Sequence, residues 1–355
     1  MGLKPEIIKH LAERAALGLP AVWQAPLEEI RKNTHTHIAL TQPLIDLFAV
    51  EHKFIPGPTA DLPIRIYRPT NEKNLPALVF FHGGGWVLNF LDIYEPALRS
   101  IAKGGNFVII AVQYQKAPEH PYPTPFNDCY ATLEWVVNHA QELSIDPESI
   151  GVGGDSAGGN LASAVALKAR DTKLIPLAFQ LLIYPCNEIN MQYPSATEFG
   201  EGFGLTTKSM RWFWDKYLPN LDDHSNPYAI PARATDLKGV APAIVIAAQF
   251  DPLTDDARQY YQKLVKSSVP AIYKEYGGQI HGFFNLSGVT EDATVAIDAA
   301  GDDIVIADGN VTIWYETDAD AGAEQITLSS DSFSSNVKLV GKTYVINQAN
   351  GDRQL

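Results

Sequence analysis

The chain is poor in cysteine and in positive charge, and both shortages exclude classes of protein. Only two cysteines, Cys129 and Cys186, occur in 355 residues, too few for a disulfide framework and without the spacing of a metal site. The 27 lysine and arginine residues are outnumbered by 41 aspartate and glutamate residues, which leaves a net charge of −14. Nucleic-acid-binding surfaces are basic, so we expect no nucleic-acid partner.

Long hydrophobic runs are also missing. The longest apolar stretch, residues 240–250, contains Pro242 and Gln249 and is too short to span a bilayer, so no integral membrane segment is predicted. The first residues lack the apolar core of a signal peptide. A cytoplasmic protein is therefore expected, unless an upstream signal has been removed. The sequence leaves the oligomeric state open, with a homodimer as the candidate assembly.

Proline disappears and acidic residues accumulate toward the carboxyl terminus. None of the 24 prolines lies beyond Pro270, and residues 291–355 contain 12 acidic and 3 basic residues. Strand-like runs flank Asp308-Gly309 and predict a hairpin, and two more follow at 325–328 and 337–346. We interpret residues 302–355 as an acidic, β-rich extension of unknown role, with an interaction module as one alternative. Its aspartates lack the spacing of a calcium loop, so no metal is predicted.

The rest of the chain alternates short apolar runs with helical patterns. Nearly continuous apolar runs, typical of strands buried on both faces of a parallel sheet, lie at 64–67, 77–81, 107–114, 150–153, 178–184, 244–248 and 272–276. Helical patterns cover 5–17, 128–143, 160–170 and 255–266. This alternation predicts one large α/β domain with right-handed crossovers.

One long interval interrupts the alternation. Almost 60 residues separate the run that ends at Tyr184 from the next one, which is too long for a plain crossover and indicates an inserted helical piece. Its density of aromatic residues favours packing, and some of them are expected to line a pocket over the sheet. The candidate pocket residues are Trp86, Tyr184, Phe203, Trp212 and Phe213.

The motif Gly154-Asp155-Ser156-Ala157-Gly158 stands between an apolar run and a helical pattern. Gly-x-Ser-x-Gly on a strand-to-helix turn exposes the serine hydroxyl at the sheet edge, since the glycines permit a sharp turn. Short Gly/Ser strings also occur in ordinary loops, so the motif needs partners elsewhere in the chain.

A second motif, His82-Gly83-Gly84-Gly85-Trp86, ends the run at 77–81. Consecutive glycines expose backbone N–H groups that can donate to a developing oxyanion. A flexible loop and a phosphate nest are the alternatives, but the Gly-Lys-Ser/Thr ending of the phosphate version is missing.

A nucleophilic serine needs a histidine base, and the base needs a carboxylate to orient it. In sheet hydrolases with Gly-x-Ser-x-Gly, the chain order is serine, acid, histidine. Only His224 and His281 follow Ser156, and His224 lies in a polar string of the insertion. His281 follows the last strand run, which is where a sheet enzyme holds its base.

The acid has one favoured candidate. Asp251 directly follows the strand run that ends at Phe250, whereas Asp255 and Asp256 fall in the next helical pattern. Because the carboxyl ends of parallel strands meet at one edge of a sheet, Asp251 is expected near Ser156 and His281.

At these residues the chain resembles the hormone-sensitive-lipase-like branch of the α/β-hydrolases, the bacterial carboxylesterases, over roughly residues 3–290. The matching blocks are His82–Trp86, Tyr114 with residues 117–121, Gly154–Asn160, Asp251–Leu253 and His281–Phe283. The resemblance implies an α/β-hydrolase fold: a mostly parallel sheet of about eight strands flanked by helices. It also implies a helical cap from residues 1–50 and 187–228 over a catalytic domain of residues 51–186 and 229–301.

The resemblance further implies roles for single residues. Ser156 is the expected nucleophile, His281 the general base and acid, and Asp251 the residue that orients His281. The expected oxyanion donors are the N–H groups of Gly84, Gly85 and Ala157. Asp155 and His82 are expected to brace the oxyanion loop from behind.

Some residues depart from the family pattern. Gln115-Lys116 stands where Arg-Leu is usual, so the ion pair between such an arginine and Glu119 is expected to be missing. Asn89 replaces a frequent glycine and Thr254 a common arginine. None of these departures touches the expected triad.

The predicted function is that of a serine carboxylesterase that hydrolyses short- to medium-chain acyl esters through an acyl-enzyme, with a small-molecule ester as substrate and without cofactor or metal. An amidase, deacetylase or lactonase on the same triad is the alternative. A non-catalytic ligand-binding receptor is the remote alternative, and loss of the triad histidine would be its marker.

Overall fold

The structure is a computed structural model. It describes the backbone of residues 2–302 and of the segments 304–307, 310–316, 323–329, 336–338, 345–347 and 352–353. It describes side chains for residues 2–300.

A central sheet organises the fold. Its strands are β1 (Ala49–Ile55), β2 (Leu62–Arg68), β3 (Leu75–Phe81), β4 (Val108–Val112), β5 (Ile145–Asp155), β6 (Gln180–Ile183), β7 (Ala243–Phe250) and β8 (Ala271–Ile280). They form one 8-stranded sheet in the order β1-β2-β4-β3-β5-β6-β7-β8. The β1–β2 and β2–β4 pairs are antiparallel and the other pairs are parallel, so the predicted mostly parallel sheet is confirmed.

Helices cover both faces of this sheet. They are α1 (Pro5–Ala16), α2 (Leu27–Asn33), α3 (Leu91–Gly104), α4 (Thr124–Asn138), α5 (Ala157–Thr172), α6 (Pro194–Glu198), α7 (Thr207–Tyr217), α8 (Thr254–Lys266) and α9 (Glu291–Asp302). The neighbouring residues Phe80 and Phe81 of β3 enter different cores. Phe80 packs with α3 and α9, and Phe81 with α4, α5 and α8, because side chains alternate across a strand.

Two elements of the sheet domain, β1 and α3, were not predicted from the sequence. The edge strand β1 carries Glu51, His52 and Lys53 and has only one buried residue, Ile55, so it shows no apolar run. Charged residues on an edge strand disfavour pairing with other chains. The helix α3 contains Pro96, a residue that disrupts a helical pattern because it lacks the N–H group.

Helical segments at the amino terminus and after β6 lie beside the carboxyl ends of the strands. The first group comprises α1, α2 and a 3₁₀ segment, Thr34–Leu40, and the second comprises α6 and α7. The buried face of α7 joins the main core, where Tyr217 stacks on Trp86 with ring centroids 4.3 Å apart. The boundaries proposed above for a cap and a catalytic domain stay a prediction.

The carboxyl-terminal region forms strands of its own. The strands are β9 (Ile304–Ala307), β10 (Asn310–Glu316), β11 (Ala323–Ser329), β12 (Asn336–Lys338), β13 (Val345–Asn347) and β14 (Asp352–Arg353). β9, β10 and β11 form one 3-stranded sheet, and β12, β13 and β14 form another. β9 pairs antiparallel with β10, as in a hairpin. The Asp308-Gly309 turn predicted between them lies outside the described residues, as do the side chains of the predicted acidic surface.

Candidate active site

Ser156 occupies the turn between β5 and α5. Its φ of 54° and ψ of −118° place a non-glycine residue in a region that L-amino acids rarely adopt, which stores strain at the turn. The flanking glycines make the turn possible. A Cβ atom on Gly158 would lie 1.8 Å from the carbonyl oxygen of Phe81, and one on Gly154 would lie 2.4 Å from the same oxygen.

Three side chains from separate strand ends meet at this turn. His281 follows β8, and its Nε2 lies 2.9 Å from Oγ of Ser156. Asp251 follows β7, and its Oδ2 lies 2.7 Å from Nδ1 of His281. A carboxylate only accepts, so Nδ1 of His281 carries the proton and Nε2 is free to accept from the serine hydroxyl. The structure thus brings the predicted serine, histidine and aspartate into one hydrogen-bonded chain.

Asp251 is held in place from its other side. It is fully buried, and its Oδ1 accepts a hydrogen bond from the backbone N–H of Leu253 at 2.8 Å. At Thr254, one of the departures from the family pattern, the hydroxyl donates to the carbonyl oxygen of Asp251 at 2.9 Å. With both oxygens and the backbone engaged, the carboxylate has a single orientation toward His281.

The competing histidine and carboxylates have other partners. Nε2 of His224 donates a hydrogen bond to the carbonyl oxygen of Leu218 at 3.1 Å. Asp255 accepts from the N–H of Ser195 at 2.9 Å. Asp256 accepts from two backbone N–H groups of the segment after β6 at 2.8 and 3.0 Å. The two helical carboxylates therefore attach the 187–195 segment to α8.

Asp256 makes the stability of the fold depend on pH. Burial raises its pKa from 3.8 to about 8, although hydrogen bonds from Glu188 and Asn187 lower it. Between about pH 4 and pH 8 the folded chain keeps this proton while the unfolded chain loses it, so stability falls as pH rises. We expect the stability of the wild type relative to Asp256→Asn to fall by up to about 1.4 kcal/mol per pH unit in that window. Urea unfolding across the range measures the slope.

The matched control for this prediction is Asp61→Asn, which removes an exposed carboxylate. It should leave the slope as in the wild type. Parallel stability curves for the wild type and Asp256→Asn would contradict the prediction.

Hydrogen bonds between the side chains of Asp155 and His82 and the backbone of Gly83 hold the glycine loop after β3 in place. The N–H of Gly83 donates to Oδ1 of Asp155 at 2.6 Å, and Nδ1 of His82 donates to the carbonyl oxygen of Gly83 at 2.8 Å. Gly84 and Gly85 follow with φ angles of 106° and 61°. Among the described residues, the N–H groups of Gly84, Gly85 and Ala157 donate to no protein acceptor. They are available to an oxyanion beside Ser156.

Burial shifts the protonation of both residues that hold Gly83. Burial, with Lys116 nearby, lowers the pKa of His82 to about 3, so His82 is neutral at neutral pH and donates from Nδ1. Burial raises the pKa of Asp155 to about 7, against the hydrogen bond from Gly83. At neutral pH His82 therefore holds the loop as a neutral side chain, whereas Asp155 is shared between its protonated and its charged form.

Arg31 of α2 fastens the end of the same loop. Its Nε donates to the carbonyl oxygen of Val87 at 3.0 Å, and Nη2 donates to that of Ala117 at 3.0 Å. Its two terminal nitrogens also bind Glu119 at 2.7 and 2.8 Å. Although Gln115 replaces the usual arginine, Glu119 therefore keeps an ion pair, which its partner in α2 supplies. The sequence prediction considered only position 115.

A cavity of about 290 Å³ lies over these groups. Ser156, His281, Gly84 and Gly85 line it from the sheet side. Phe213 of α7 also lines it and packs so close to the glycine loop that a Cβ atom on Gly85 would lie 2.2 Å from its ring. Glycine at this position is therefore required by the contact with α7 as well as by its φ angle.

The prediction of pocket residues needs correction at the other four positions, which do not line this cavity. Trp86 is fully buried against Trp214 and Tyr217. Tyr184 packs behind His281, with ring centroids 4.6 Å apart. Phe203 stacks on Phe250, and Trp212 packs edge-on against Phe213. These aromatic side chains pack in the core instead of lining the cavity, because burial of their large apolar surface is stabilising wherever it occurs.

Sequence reasoning missed the amino-terminal wall of the cavity. His10 and Arg14 of α1 and His37 of the 3₁₀ segment line it, together with Leu11. A usable signal existed: Ile7, Leu11 and Arg14 are spaced three or four residues apart and so share one face of α1.

Within the described residues, no group of three or more histidine, cysteine, aspartate or glutamate side chains is arranged to hold a metal ion. The same part of the chain contains no helix that is long and apolar enough to cross a membrane.

A mostly parallel sheet whose strand ends carry serine, aspartate and histidine in one hydrogen-bonded chain defines the α/β-hydrolase class. The sequence model of the family described as an alpha/beta hydrolase fold matches residues 78–285. Because this match covers more than half of the chain, the chain belongs to that family.

Individual relatives place the chain more narrowly. The carboxylesterase NlhH of Mycobacterium tuberculosis is 39% identical over 240 residues, which are 66% of this chain and 75% of that protein. An arylesterase of Saccharolobus solfataricus is 31% identical over 305 residues, 86% of this chain and 99% of that protein. The structure of an ester hydrolase from the metagenome of Lake Arreo, in complex with a bipyridine phosphonate derivative, superimposes with a TM-score of 0.81 at 32% identity. It covers 84% of this chain and 97% of that one. The predicted resemblance to the hormone-sensitive-lipase-like carboxylesterases is confirmed.

Proposed function

We propose that this chain is a serine carboxylesterase in which Ser156 is the nucleophile, His281 the general base and acid, and Asp251 the carboxylate that orients His281. One observation carries the proposal: two hydrogen bonds, of 2.9 and 2.7 Å, link the serine, the histidine and the aspartate beside the cavity. The carboxylesterase and arylesterase relatives support the ester as the bond that is cleaved.

The geometry supports a two-step reaction. Nε2 of His281 takes the hydroxyl proton of Ser156 as Oγ attacks the carbonyl carbon of the ester. The N–H groups of Gly84, Gly85 and Ala157 stabilise the oxyanion, and one such donor contributes about 3 kcal/mol to the transition state. His281 then gives its proton to the leaving alcohol, and water repeats the sequence on the acyl-enzyme.

The cavity supports a preference for short- to medium-chain acyl groups. At about 290 Å³ it lies at the small end of ligand sites. Phe213 of α7 and residues of α1 line it together with the catalytic residues. A long fatty acyl chain would extend beyond the cavity, whereas a short acyl chain fits inside it.

Hydrolysis of p-nitrophenyl esters with acyl chains from two to sixteen carbons tests this preference. We expect kcat/KM to be highest at about eight carbons or fewer, because longer chains gain no further apolar contact inside the cavity. The matched p-nitroanilides of the same acids serve as amide controls. A maximum at the longest chains would indicate a lipase, and faster cleavage of the anilides would indicate an amidase.

A homodimer and a cytoplasmic location stay predictions from the sequence. Light scattering of the purified chain would test the first, and localisation of the chain in its cell would test the second.

A further inference from the structure

The amino-terminal wall of the cavity is polar where the helix pattern calls for apolar residues. α1 turns Ile7 inward, where it is fully buried, and Leu11 and Arg14 follow on the same face. His10 of the same helix is also buried, and it lines the cavity. His37 of the 3₁₀ segment lines the cavity as well. An arginine on the inward face of a cap helix has its charged end at the cavity rather than in open solvent.

Within the described residues, the hydrogen bonding of Arg14 leaves most of its N–H donors unused. Its Nη1 lies 2.9 Å from Nε2 of His37. Arginine only donates, so this ring nitrogen of His37 is the acceptor and the imidazole is neutral. Burial, with Arg14 and His10 nearby, lowers the pKa of His37 to about 4, which agrees with that assignment. One of the five N–H donors of a guanidinium is thereby satisfied.

No carboxylate in the described part of the chain pairs with Arg14. The nearest comparison is Arg31, which lies on the next helix and binds both oxygens of Glu119. Burial lowers the pKa of Arg14, so the surroundings disfavour its charge. Arg14 is partly buried. A cation that is partly withdrawn from water without a counter-ion is disfavoured, and an anion that enters the cavity would offset this cost.

The shape of the guanidinium selects the kind of anion. Its planar fork matches the two oxygens of a carboxylate, and such charge-assisted pairs are among the stronger hydrogen bonds in proteins. Arg14 and Ser156 line one cavity, so a single ligand can meet both.

We propose that the cavity accepts esters that carry a carboxylate remote from the scissile bond, and that Arg14 determines this specificity by binding that carboxylate. The proposal rests on the carboxylesterase function proposed above and names its substrate class. Ser156 cleaves the ester while the guanidinium holds the far end of the molecule.

Two matched pairs of esters test the proposal. On the acyl side, the p-nitrophenyl monoester of adipic acid is compared with p-nitrophenyl hexanoate, in which a methyl group replaces the carboxylate. On the alcohol side, the acetate ester of γ-hydroxybutyrate is compared with butyl acetate by titration of the released acid. The measured quantity is the ratio of kcat/KM for the anionic ester to that for its neutral partner.

Arg14→Gln should lower this ratio at least tenfold in one of the two pairs, mainly through KM, because it removes a charge-assisted hydrogen bond. Arg14→Lys restores the charge but not the fork, so part of the ratio should return. The matched control is Arg211→Gln, which removes an exposed arginine of α7 that does not line the cavity. It should leave both ratios as in the wild type.

The outcomes separate the two proposals. Ratios that stay within twofold of the wild type in both pairs on Arg14→Gln overturn the carboxylate site and leave the esterase intact. A wild-type chain that cleaves none of the four esters overturns the esterase. Calorimetry then decides the site alone: tighter binding of monomethyl adipate than of methyl hexanoate, which lacks a carboxylate, to the wild type supports it, and equal binding overturns it. This last comparison needs no variant, so it holds even if Arg14→Gln fails to fold.

Discussion

Replacing Ser156 with alanine is expected to lower kcat/KM for p-nitrophenyl butyrate by about 10⁴-fold or more. The hydroxyl is the only group of this chain proposed to form a covalent bond with the acyl carbon, and its loss removes a step that His281 and Asp251 cannot perform alone. Residual hydrolysis would come from the oxyanion donors and from binding. The substitution should not lower the stability of the fold, because alanine has no hydroxyl group that would be left without a hydrogen bond at the turn.

The control for this experiment is Ser163→Ala. Ser163 lies in α5, the helix that begins directly after Ser156. It is fully buried and donates to the carbonyl oxygen of Gly159 at 2.9 Å. It should retain near-wild-type turnover, while its melting temperature reports the cost of losing a buried hydroxyl. Turnover of Ser156→Ala within tenfold of the wild type would contradict the assignment of the nucleophile.

Asp251→Asn is expected to lower kcat by about 10⁴-fold while the fold stays intact. An asparagine amide directed at Nδ1 of His281 favours the tautomer that carries its proton on Nε2. That nitrogen then cannot accept the proton of Ser156. The buried position of Asp251 and its bond to the N–H of Leu253 should keep the substituted side chain in place.

The neighbouring carboxylate provides the matched comparison. Asp255→Asn changes the same group four residues later, where the carboxylate binds Ser195 and Arg258 instead of the histidine. Its kcat should stay within a few-fold of the wild type. Equal losses in both variants would show that the effect comes from a general change near α8 rather than from the orientation of His281.

Much of the site was predictable because its residues lie at strand ends. An apolar run marks where a buried strand stops, and the carboxyl ends of parallel strands lie at one edge of the sheet. Asp251 and His281 each follow such a run, and the glycines around Ser156 mark a turn that other residues would block. The chain order of the three residues then left few alternatives.

The surroundings of the site were less predictable because they depend on contacts between distant segments. The spacing of the aromatic residues in the insertion does not indicate whether they lie in the core or line the cavity. Of the five candidate pocket residues, Phe213 alone lines it. The partner of Glu119 comes from α2, far away in the chain. No local pattern at residues 115–119 identifies that arginine.

The sequence by itself determined most of the alternation of strands and helices, the sharp turn at Ser156, and the residues that follow β7 and β8, because these are set by local periodicity and glycine sterics. Tertiary structure alone decided which side chains form the cavity and that Arg14 lies in its wall without an acidic partner in the described chain. Those facts depend on how α1, α7 and the sheet pack together. Packing is settled by burial and by the pairing of charges over the whole molecule, which no single segment encodes.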